Sequence, residues 1–138
     1  MTQSQIVELI QVAVNKVDAT AQIFWGTERD FGVLEKAAPT VVMVYPFRDN
    51  ISNNKITTSL TIKVKKLDST NSTNAKRKSL GDECRDFAFK LWDLLQDLEP
   101  AYIDGNSFTG NNEYIITPKG YTNYSFNIQV ITTYSQCS

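Results

Sequence analysis

Residues 79–98 read SLGDECRDFAFKLWDLLQDL. Leu80, Cys84, Phe87, Leu91, Leu94, Leu95 and Leu98 recur at helical spacing and line one side. Ser79 suits an N-cap, with Asp82 three residues on, an acidic variant of the capping box. Asp82 and Glu83 place negative charge in the first turn, where the macrodipole favours it, and Pro100 supplies the stop. The spacing predicts a helix over 79–98. At ~100° per residue, Phe89 and Trp92 fall almost opposite the leucines, beside Arg85 and Gln96. A helix apolar on two sides expects two partners. One is the sheet of its own domain. The other is either an N-terminal helix of the same chain or a second subunit. In the latter case Phe89, Trp92 and Arg85 are interface residues, since a Trp at a buried interface centre often dominates binding.

The surrounding chain supplies the sheet. Thr2 and Gln5 form a capping-box pattern, and Ile6, Leu9, Ile10, Ala13, Val14 and Val17 make an apolar face, which predicts a helix over 3–17. Ala21–Trp25 reads as a short strand, with Phe31–Leu34 as a second one pairing back. Thr40–Tyr45, TVVMVY, is β-branched without polar alternation, so both its faces should be covered. Pro46 is expected to end it, and Asp49–Asn54 carries turn chemistry. Lys55–Leu67 alternates: Ile56, Thr58, Leu60, Ile62 and Val64 against Thr57, Ser59, Thr61, Lys63 and Lys65. It should pair with the preceding strand as a hairpin. Asp68–Lys78 reads as a polar loop leading into the central helix. Beyond it, Ala101–Ile103 is extended, Asp104–Asn112 a loop, Glu113–Thr117 a strand and Pro118-Lys119-Gly120 a turn. Tyr121–Tyr134 alternates again, with Tyr124, Phe126, Ile128 and Val130 on one face.

This order implies an α+β fold: an antiparallel sheet with two main helices packed on one face and a long protruding β-hairpin, in a single domain over 1–138. Fourteen-residue strands span about 46 Å at roughly 3.3 Å per residue. A compact domain of this size is about 37 Å across. Such strands protrude unless bulged or strongly twisted, and a protruding edge tends to lie on another chain.

At 138 residues with net charge −1, the chain can bury a sizeable core. It has no histidine, which removes the commonest general base and zinc ligand. Asp30-Phe31-Gly32 spells a kinase tripeptide without the other kinase motifs. Asp82/Asp86 and Asp93/Asp97 are carboxylate pairs one helical turn apart, read as a solvated face rather than a cation site. The expectation is no enzyme, no metal and no cofactor. No apolar run is long enough for a membrane span, and no export signal is apparent. Cytoplasmic assembly and unpaired cysteines follow, with Cys84 an inert core residue.

Charge is segregated. Lys55–Lys78 holds seven basic residues and one acidic, whereas Asp82–Glu113 holds eight acidic and two basic. A positive surface on one copy could meet a negative surface on the next, and head-to-tail contacts close into rings when the rotation allows. Lys63, Lys65, Lys66, Lys76, Arg77 and Lys78 flank one loop, which faces phosphates, a neighbouring subunit or plain solvent.

The order and size of Ile6–Val17, Thr40–Leu67, Ser79–Leu98 and Glu113–Tyr134 resemble the small α+β proteins that terminate tails or join head to tail in tailed bacteriophages. The resemblance covers most of the chain and rests on element order rather than a diagnostic motif. It implies a structural virion protein: copies of itself in a ring, stacked on portal, connector or tail rings, with DNA passing through the lumen. The hairpin and basic loop would then make ring or lumen contacts, and Gly26–Pro39 would contact a neighbouring ring. The alternative is a small nucleic-acid-binding accessory protein using the basic 63–78 loop.

Overall fold

The computed structural model describes residues 2–26, 39–67, 73–97, 102–103, 110–113 and 121–133; of Pro46, Phe47, Tyr102, Ile103, Glu113, Tyr121 and Thr133 only the backbone is described. The expected elements at Phe31–Leu34, at 114–117 and at Pro118–Gly120, together with Leu98, Pro100 and Cys137, lie outside these residues.

Helix α1 (Gln3–Val17) starts at the Thr2/Gln5 capping box, in which each side chain bonds the other's backbone N–H at 3.2 and 2.7 Å. It buries Ile6, Ile10, Ala13 and Val14. Strand β1 (Gln22–Trp25) runs parallel to β2 (Thr40–Ser52). Antiparallel pairing then continues through β3 (Lys55–Leu67) to β6 (Tyr121–Thr133), whose far edge takes β4 (Tyr102–Ile103) and β5 (Gly110–Glu113). Helix α2 (Asn74–Gln96) lies between β3 and β4 in the sequence. The fold is thus α+β, a mostly antiparallel sheet with both helices on one face.

That face forms the core. Register aligns Val42, Val64 and Tyr124 in one row and Val44, Ile62 and Phe126 in the next, with Leu60 beside Ile128. Over them pack the apolar side of α1 and, from α2, Cys84, Phe87, Ala88, Leu91 and Leu95. The alternation read in β3 and β6 therefore selects the correct face.

Pro46 does not end β2. The register slips between Tyr45 and Arg48, so Pro46 and Phe47 together oppose Leu60 in a bulge. A bulge is one of the few places where a strand tolerates a residue without an N–H. The slip also inverts the strand's parity: Val42 and Val44 face the helices before it, Asp49 and Ile51 after it. Thr58, buried on that face, donates to Asp49 Oδ1 at 2.6 Å. The turn is correspondingly shorter than 49–54. Asn53 and Asn54 alone form it, at φ 52° and 61°, the pair of left-handed residues that a two-residue type I′ hairpin requires.

Helix α2 begins six residues earlier than its leucines suggest. Its N-cap is Thr73, whose Oγ1 accepts from the Lys76 N–H at 3.2 Å, not Ser79. Residues 74–78 are therefore helix rather than loop, and Asp82 and Glu83 lie beyond the first turn. Gly110–Asn112, read as loop, begins β5.

Candidate functional site

The six cations expected around one loop are dispersed. Lys63 and Lys65 point away from the helices, as the alternation requires, but that face is not open at its β1 end. Val41, Met43, Lys63, Lys65, Asn123 and Ser125 are all buried there, Lys65 with 0% and Lys63 with 7% of its surface exposed. The row Val41–Lys65–Asn123 sets the Lys65 amine against Asn123 Oδ1 at 3.1 Å. The Lys63 amine lies 5.4 Å from the Tyr45 ring centroid. With both side chains under cover, neither amine lies at the surface where contact with phosphate, a neighbouring subunit or solvent was expected of it. The burial of TVVMVY on both faces, by contrast, is as its composition indicates: Val41 to Val44 are all fully buried.

Lys66 has the other parity and reaches α2. Its amine is 3.5 Å from Thr40 Oγ1 and 4.0 Å from Glu83 Oε2, a half-exposed pair of little energetic weight. Lys76, Arg77 and Lys78 occupy the start of α2, all exposed.

Phe89 and Trp92 do not stand clear of the core; both are half-buried and pack against it. At ~100° per residue, Phe87 to Gly81 fill an arc of about 120° around the buried side, and Trp92 lies only ~20° beyond it. Trp92 is not opposite the leucines because Gly81 and Ala88, two small residues, extend the buried face towards it. Phe89 meets Tyr124 of β6 edge-to-face, centroids 6.1 Å apart, and the Arg85 guanidinium lies over the Phe89 ring at 4.7 Å. Tyr124 in turn lies over Gly110 of β5. Arg85, Phe89 and Tyr124 are thus one stack running from α2's surface to the sheet edge.

The long hairpin is the element the sequence expects to lie on another chain, and its outer end is open. Residues 48–55 are exposed on both strands, and Ile51, paired with Ile56 on the helix-side face, is 58% exposed. Its signal was present: Ile51 is the one apolar residue in DNISNN. In a two-residue hairpin the closing pair, Ser52 and Lys55, exchanges both hydrogen bonds. Bonded pairs alternate along the ladder, so Asp49 and Ile51 turn their backbone N–H and C=O away from β3. Strand β1 pairs only with Val41–Val44, and among the described residues no strand lies against 48–52 on that side. Trp25, at the end of β1 on the same face, is 49% exposed.

Cys84 is buried against β6, its Sγ 3.4 Å from the Thr122 carbonyl. Burial pushes its thiol up to about 12, so it is no nucleophile. Among the described residues no group of three metal-ligating side chains occurs, and no helix is long and apolar enough to cross a membrane. No protein-family model and no curated protein matches the chain in sequence.

Proposed function

We propose that this chain is a structural, ring-forming subunit of a tailed-phage head-to-tail connector or tail terminator, without catalytic activity, assembled around a DNA channel in the virion. The outer hairpin carries the reading. β2, β3 and β6 each hold 13 residues, roughly 43 Å of strand. Their outer third ends in an exposed Ile51 and an edge whose outward N–H and C=O groups at Asp49 and Ile51 suit a further strand. An edge of this kind is a liability to a solitary protein and a joint to an assembling one. The exposed rims of Phe89 and Trp92, with Arg85, belong to the same subunit contact. The half-buried Lys66 and the exposed Lys76, Arg77 and Lys78 face a neighbour or the lumen. Neighbouring portal, connector or tail rings lie above and below.

Native mass measurement of the protein, alone and mixed with its portal or tail-ring partners, tests this. Closed oligomers are expected. Ile51→Lys, which puts a charge on the edge, should abolish them while leaving the circular dichroism spectrum and melting temperature unchanged. A protein that stays monomeric with every partner, or whose DNA affinity falls steeply with salt as its sole activity, sinks the proposal in favour of a nucleic-acid accessory role.

A further inference from the structure

Helix α2 carries its charges the wrong way round for its own stability. The N-terminus of a helix favours anions and the C-terminus cations. α2 has no acidic residue in its first turn and no basic residue in its last. Lys76, Arg77 and Lys78 instead crowd the positive end, and Asp93 and Asp97 the negative end, all exposed. The acids also repel one another. Asp82, Asp86, Asp93 and Asp97 fall within ~60° on the side of α2 opposite its buried residues, and like charges at i,i+4 are destabilising in a helix. The two clusters cannot neutralise each other within one copy. From Arg77 to Asp93 the helix rises about 24 Å, three Debye lengths of ~8 Å at physiological ionic strength.

We infer that α2 is a head-to-tail contact between copies: the basic first turn of one copy docks on the acidic ridge near the C-terminal end of α2 in the next. The occupant is a second copy, because the complementary charge is carried by the same helix at its opposite end. Each copy then presents one donor end and one acceptor end, a heterologous arrangement that closes into a ring. Docking places acids beside a positive helix end and cations beside a negative one, so the interaction unfavourable in the monomer becomes favourable in the assembly. This inference rests on the assembling role proposed above and assigns the residues that make its contact.

Charge exchange tests it on the full chain. Reversing the basic end (Lys76→Glu, Arg77→Glu, Lys78→Glu) or the acidic end (Asp86→Lys, Asp93→Lys, Asp97→Lys) should each raise the melting temperature of the monomer by roughly 2–6 °C, since each restores the sign the dipole favours. Each alone should reduce assembly at least tenfold at 0.15 M salt. Mixing the two variants, or combining all six substitutions in one chain, should restore it. Loss with the basic-end variant that neither the mixture nor the combined chain rescues would overturn the head-to-tail contact and point to a polyanion such as DNA on the basic turn. Assembly unchanged by either reversal would overturn the contact while leaving the ring reading intact. Absence of any wild-type oligomer, with or without partner rings, would overturn both.

Discussion

Gly110→Ala reports on the stack that ties α2 to the sheet edge. A Cβ built at Gly110 would lie 2.6 Å from Tyr124 Cε1, 2.6 Å from its Oη and 2.8 Å from Cζ, where carbon atoms prefer 3.5–4.0 Å. The ring would have to retreat by roughly 1 Å. It has little room: Tyr124 is buried, Phe89 meets it edge-on, and the Arg85 guanidinium lies over the Phe89 ring. The backbone at Gly110 is not left-handed, so an alanine meets no conformational penalty there and the whole cost comes from the ring. Overpacking of this kind costs about 1–3 kcal/mol. Tyr124→Ala removes the obstacle at its own cost of about 3–5 kcal/mol, the range for deleting a buried aromatic ring. In that background Gly110→Ala should cost nothing, or stabilise by about 0.4–1 kcal/mol through the stiffer unfolded chain. Urea denaturation of the four proteins closes the cycle, and a coupling of about 1–3 kcal/mol is expected. A Gly110→Ala cost below about 0.5 kcal/mol, or an equal cost in both backgrounds, would refute this account of the stack.

Two further measurements bear on the helix. Thr73→Ala should destabilise by about 1 kcal/mol and Ser79→Ala by almost nothing, because Thr73, not Ser79, bonds the first turn; the reverse ranking in chemical denaturation would place the helix start wrongly. In a Cys137→Ser background, Cys84 should resist thiol reagents at pH 8 until the chain unfolds. Its thiol ionises only near 12 when folded but near 9 when free. Between those values the unfolded chain has lost a proton that the folded chain keeps, so stability falls as pH rises, by up to about 1.4 kcal/mol per unit. Cys84→Ser should flatten that slope; rapid native labelling, or an unchanged slope, would contradict the burial.

Much of the fold was legible because periodicity survives in the residues themselves. The apolar faces of α1, β3 and β6 follow from spacing alone. The reach of α2 was not: apart from Ala75, residues 74–78 are polar or basic, and no apolar repeat marks a helical turn that faces solvent. Nor was β2's course through Pro46, since a bulge depends on what the opposing strand supplies, here Leu60 against two residues.

Local sequence thus fixed which side chains of each element face the core, because 3.6- and 2-residue periods are properties of the chain. Which cations stay in solvent was settled only by assembly of the sheet. Lys65 looks like surface in its own strand, yet register sets it between Val41 and Asn123 under complete cover. Ile51 looks like part of a turn, yet the bulge carries it onto the helix-side face with nothing described above it. Burial is a sum over neighbours distant in the chain, and one strand's sequence does not contain it.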